Sequence, residues 1–102
     1  METHFLPEHE FELIRIVLAR HPEVSRAILF GSRAKQTHRP ESDIDLALQG
    51  FLDALAAERI AAELDELPLP YRFDVLACEA IQSTDLLDHI RRVGVVVYER
   101  GA

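Results

Sequence analysis

The chain has a single cysteine, Cys78, so it cannot close an internal disulfide, and a reducing compartment is its expected home. It contains no apolar stretch approaching the roughly 20 residues of a membrane-spanning helix. Residues 1–10 have neither the basic start nor the apolar segment of an export signal. A cytoplasmic protein with no membrane contact is therefore expected. Basic residues are few: 11 Lys and Arg against 18 Asp and Glu leave a net charge of −7. Sequence-independent binding to DNA or RNA requires a positive footprint, so a nucleic-acid polymer is not an expected partner. The acidic balance suits a metal site and a basic partner instead. The five histidines show no zinc-ligand spacing. The Gly-x-x-x-x-Gly-Lys-Ser/Thr phosphate loop is missing, as are repeats, low-complexity segments and long linkers. At 102 residues the expectation is one domain over 1–102, able to bury one modest core but no large pocket of its own.

What is present reads as alternating helices and strands. From Pro7 to about Arg20, Phe11, Ile14 and Leu18 form one apolar stripe, widened by Leu13 and Val17, and Pro7 with Glu8 and Glu10 suits a helix start. Residues 24–30 read as a strand, 43–48 as a second, 71–77 as a third and 95–98 as a last one in the core. A helix is expected over 52–66, with Leu52, Leu55, Ala56, Ile60, Leu64 and Leu67 on its buried stripe and Pro68 and Pro70 as its stop. Ser83 or Thr84 caps a further helix that ends near Val93, with Gly94 as its C-terminal cap. The pattern is α/β, a small mixed sheet flanked by helices.

The chemistry-bearing residues sit at strand ends. Gly31 and Ser32 follow the strand 24–30, and Arg33 and Lys35 add positive charge beside them. Glycine lets the backbone turn sharply, and a serine at a helix start can cap it or hold a phosphate. After ten residues come Asp43, Ile44 and Asp45. On a strand, residues two apart share a face and lie roughly 6.6 Å apart, so Ile44 and Leu46 face a core while both aspartates face away together. Asp74, inside the apolar run 71–77, is a third carboxylate. Such carboxylates repel one another unless a cation compensates them, and hard divalent ions take oxygen ligands of this type. Taken singly, each has a plainer reading: Gly31-Ser32 as a turn and cap, Asp43 and Asp45 as solvated strand residues, Asp74 as a surface partner of Arg72. Cys78 reads as a small buried hydrophobe.

Together, Gly31-Ser32, the ten-residue gap, Ser42-Asp43-Ile44-Asp45-Leu46 and Asp74 resemble the nucleotidyltransferase superfamily that includes DNA polymerase beta. The short length and the ending Gly94-Val95-Val96-Val97-Tyr98 are similar to its minimal nucleotidyltransferases, which pair as antitoxins with helical HEPN toxins. The resemblance implies a polymerase beta-like fold. It implies that Gly31, Ser32 and Arg33 hold the triphosphate of ATP, and that Asp43, Asp45 and Asp74 are catalytic and bind Mg²⁺, two ions in all. It further implies AMP transfer to a hydroxyl, that of a tyrosine, on a HEPN toxin partner. Many minimal members have a glycine where this chain has Gln36, a departure that bears on the phosphate loop alone. Two other functions fit the same resemblance: a non-catalytic antitoxin that masks a toxin by contact, and a small-molecule nucleotidyltransferase completed by a helical subunit.

Overall fold

The computed structural model describes residues 6–31 and 43–100. The elements run α1 (Glu8–Ala19), β1 (Val24–Phe30), β2 (Ile44–Gly50), α2 (Ala54–Asp65), β3 (Phe73–Ala77), α3 (Thr84–Val93) and β4 (Val95–Glu99), with a short 3-10 turn at Cys78–Ala80. Every element expected from the sequence within these residues is present. The 3-10 turn was not foreseen, and the short helical turn expected after Ser32 lies outside the described residues.

The four strands form one mixed sheet in the order β3-β2-β1-β4. β1 pairs antiparallel with β2 and with β4, while β2 and β3 run parallel. Parallel neighbours need a crossover, and α2 supplies it. One face of the sheet carries the main core: Ala27 and Leu29 of β1, Ile44, Leu46 and Leu48 of β2, and Phe73 and Val75 of β3 pack with Phe11, Ile14 and Leu18 of α1 and Ile60 and Leu64 of α2. The other face is covered less fully. There Phe30 and Ala47 pack with Ile90 of α3, and Ile28, Leu76, Cys78 and Leu86 join at the margin. Cys78 is thus a half-buried free thiol in the smaller cluster, its pKa raised by burial and then by Glu79.

Local signals start the helices. Asp53 caps α2, its carboxylate accepting from the Ala56 N–H at 2.9 Å, and Ser83 caps α3, its hydroxyl accepting from the Leu86 N–H at 3.2 Å. Pro7 precedes α1, whose last carbonyls are served from far along the chain: Arg100 donates to Ala19 O at 2.9 Å and, just past the helix, to His21 O at 3.3 Å. Gly94 stands at the end of α3 for want of space, not for a left-handed backbone, since its φ is −67°. A β-carbon there would collide with the Ile90 carbonyl and press on Ile28 Cγ2.

Two expectations are corrected. Leu55 is not on the buried stripe of α2; it is 54% exposed. The helix begins at Ala54 and Ala57, Ile60 and Leu64 set its inward phase, which turns Leu55 outward. β4 is an edge strand rather than a core one: Val96 is 50% exposed, and only Val97 and Tyr98 reach the main core.

The phase of α2 is open to test. Ile60→Ala should lower stability to chemical denaturation by about 2–5 kcal/mol, as for other buried truncations. Leu55→Ala should change it by no more than about 0.5 kcal/mol. Equal losses at the two positions would contradict this phase.

Candidate active site

Strand register gathers the carboxylates. Asp45 is opposite Phe30 of β1 on one side and opposite Asp74 of β3 on the other. Partners across a ladder share a face, so Asp45 and Asp74 lie on the face that α3 partly covers, on neighbouring strands roughly 4.8 Å apart. Asp43 precedes β2 by one residue and is exposed, as is Asp74. Asp45 is half-buried. All three stand where β2 and β3 begin and β1 ends.

The electrostatics follow from that placement. Asp45 has its pKa raised from 3.8 to about 6, first by burial, then by the charge of Asp74 and then by that of Asp43. Neither Arg72 nor any other described cation forms an ion pair with Asp74, so the surface-salt-bridge reading of that residue does not hold among the described residues. Among the described residues no cation pairs with Asp43, Asp45 or Asp74.

Gly31 has a reason beyond those expected of it. Its φ is +79°, a region that favours glycine, and a β-carbon at this position would collide with the Asp45 carboxylate. The glycine thus turns the chain out of β1 and leaves Asp45 the space it occupies. Ser32 and Arg33, the other phosphate-loop residues expected from the sequence, lie outside the described residues. On the covered side, His89 of α3 meets Phe30 edge-on, the ring centroids 6.4 Å apart. The structure thus brings Asp43, Asp45, Asp74 and Gly31 to one end of the sheet.

The donor set fits a hard divalent cation. Its three aspartates offer only carboxylate oxygens, and burial followed by the charges of Asp74 and Asp43 raises the Asp45 pKa. Among the described residues no three His, Cys, Asp or Glu side chains are already gathered into a cage for an ion. Mg²⁺ takes one or two carboxylates and completes its sphere with water and substrate phosphates.

Comparison with known proteins agrees with the fold. Residues 12–102 match the family model described as polymerase beta, nucleotidyltransferase. The chain belongs to the polymerase beta nucleotidyltransferase family. A curated relative, the probable protein adenylyltransferase MntA of Haemophilus influenzae, is 33% identical over 97 residues, covering 93% of this chain and 84% of its own. A crystal structure of a toxin–antitoxin with AMP-PNP is similar to this chain with a TM-score of 0.70 at 25% identity, covering 90% of this chain and 74% of that one. A tyrosine-to-alanine mutant of the MntA–HpeT toxin–antitoxin has a TM-score of 0.72 at 26% identity, covering 94% and 75%. Within this family the chain is a nucleotidyltransferase, and its substrate is a nucleotide.

The raised pKa of Asp45 sets a pH dependence in the metal-free protein. The unfolded chain loses this proton near 3.8 while the folded one holds it to about 6. Between those values folding takes up a proton, so stability falls as pH rises through the window. Asp45→Asn removes the penalty. It should be more stable than the parent at pH 8, by about 1 kcal/mol after allowance for solvent screening at this half-exposed site, and equal to it near pH 3.5. Thermal denaturation of both proteins across pH 3.5–8 checks this.

Proposed function

We propose that this protein is a Mg²⁺-dependent adenylyltransferase that moves AMP from ATP to a hydroxyl, that of a tyrosine, on a HEPN toxin, and so serves as its antitoxin in the cytoplasm. The observation that carries the reading is the placement of Asp45 beside Asp74 in parallel register, with Asp43 two residues away and Gly31 opening next to them. Relatives support the choice of nucleotide and acceptor. One is named a protein adenylyltransferase, and a structure similar to this chain is a toxin–antitoxin with AMP-PNP. The chain acts as one catalytic domain, and the acceptor pocket is completed by the partner.

Asp43 and Asp45, with Asp74 contributing to one site, would hold two Mg²⁺ ions. Bound there, the ions would neutralise charge that develops on the phosphates and leaving oxygen. Gly31 lets the chain approach the triphosphate, and Ser32 and Arg33 donate hydrogen bonds to its oxygens. Asp74, exposed on its strand, accepts the proton of the acceptor hydroxyl. The hydroxyl oxygen forms a bond to the α-phosphorus as the bond from that phosphorus to the bridging oxygen breaks. Pyrophosphate leaves, and the proton passes from Asp74 to solvent. A hydroxyl is a weak nucleophile at neutral pH, which is why a carboxylate beside it matters.

Asp74→Asn keeps the size of the side chain and removes its charge. AMP transfer to the toxin, read by intact mass, should fall by at least about a hundredfold, while toxin affinity by calorimetry stays near that of the parent. If Asp74→Asn still neutralises the toxin fully in cells, masking by contact is how the protein works and transfer is incidental.

Ser32→Ala should reduce the transfer rate at limiting ATP by roughly ten- to a hundredfold, the equivalent of a charge-assisted hydrogen bond of about 1.5–3 kcal/mol. A serine that only caps a helix would instead cost about 1 kcal/mol of stability and spare the rate. Rates and thermal melts on the same preparation separate the two.

A further inference from the structure

Beyond the carboxylates, toward the other end of β3, lies a groove of about 330 Å³. α2 lines it with Ala54 and Glu58, β3 with Val75, Leu76 and Ala77, the 3-10 turn before α3 with Ala80, and α3 itself with Leu86. Consecutive strand residues point to opposite faces, so a wall that includes all three of Val75, Leu76 and Ala77 lies along the edge of the strand. β3 is the outermost strand on its side of the sheet. α2 packs on one face and α3 on the other, so the groove is a slot between two helical layers beside a strand with no outer strand partner among the described residues.

Open strand edges are ordinarily protected by lysine, proline or a bulge. β3, Phe73-Asp74-Val75-Leu76-Ala77, has no lysine or proline, and its pairing to β2 runs without a register shift. Its one charged residue is Asp74. Among the described residues no lysine or arginine lines the groove. Glu58 does, and Asp53, Glu79 and Asp85, each beside a lining residue in the chain, are exposed, against one basic neighbour of this kind, the exposed Arg59. Leu55, 54% exposed, lies three residues from Glu58 and so on the same ridge of α2.

We propose that this groove receives an extended, apolar segment of the acceptor protein flanked by basic residues, laid alongside β3 so that its hydroxyl-bearing residue comes to Asp74. The inference rests on the AMP-transfer reading and adds to it where the acceptor docks. An added strand would gain main-chain hydrogen bonds from the edge and side-chain contacts from the slot, a recurrent way of binding peptides. Basic flanks would meet the acidic rim. Asp74 directly precedes Val75, and Ala77 is three residues on, so groove and carboxylate lie within roughly 10 Å along one strand. A segment held in register with β3 therefore has its reactive residue placed by the same ladder that holds it.

The test uses the full chain with Mg²⁺-ATP and a purified HEPN toxin. Ala80→Arg fills the slot and Glu58→Lys reverses the charge of its rim; both positions are exposed. Each variant should bind ATP as the parent does and reach a kcat within about twofold of the parent, while KM for the toxin rises at least about tenfold. Glu58→Asp, which keeps the charge, should keep the parental KM. AMP transfer by the parent together with parental KM in Glu58→Lys and Ala80→Arg would overturn the docking inference alone. Absence of transfer by the parent would overturn the activity reading and this inference with it. Should Ala80→Arg fail to fold, Glu58→Lys decides, since it alters only an exposed charge.

Discussion

The functional end of this molecule depends on the register in which β2 meets its two neighbours. Phe30, Asp45 and Asp74 occupy one row across three strands. A slip of one residue between β2 and β3 would turn Asp45 and Asp74 to opposite faces of the sheet. The main core opposes such a slip: Ile44, Leu46 and Leu48 alternate with Asp45 and Ala47, and a one-residue shift would carry that apolar set out of its burial against α1 and α2. The hydrophobic effect on one face thereby imposes charge crowding on the other.

That crowding is tolerable because it sits at the rim. Asp43 and Asp74 remain exposed, so water screens much of their charge, while burial and then these two charges raise the pKa of Asp45. Gly31 is part of the same arrangement, since any side chain there would occupy the space of the Asp45 carboxylate. Among the described residues this face has a smaller buried cluster, Phe30, Ala47 and Ile90, and the opposite face provides most of the burial.

Much of this was legible in the residues. The stripe of Phe11, Ile14 and Leu18, the alternation through Asp43–Leu48, the capping serine at Ser83 and the spacing from Gly31 to Asp74 each carry a local signal. They sufficed for the helices and strands and for the family. Leu55 misled because helical periodicity over 52–66 accommodates more than one phase, and only the start of α2 at Ala54 selects among them. β4 misled because three consecutive valines look equally apolar in a central strand and at an edge.

The sequence by itself determined the α/β class, the acidic character, the carboxylate set and the position of the turn at Gly31, because each depends on residues close together in the chain or on composition. Only the tertiary structure decided that Asp74 lies opposite Asp45, that burial and two like charges raise the Asp45 pKa, that Gly31 leaves room for its carboxylate, and that β3 has an open edge between two helices. These depend on pairings between segments tens of residues apart. Strand order and register are chosen by which apolar surfaces bury together, and no local pattern records that choice.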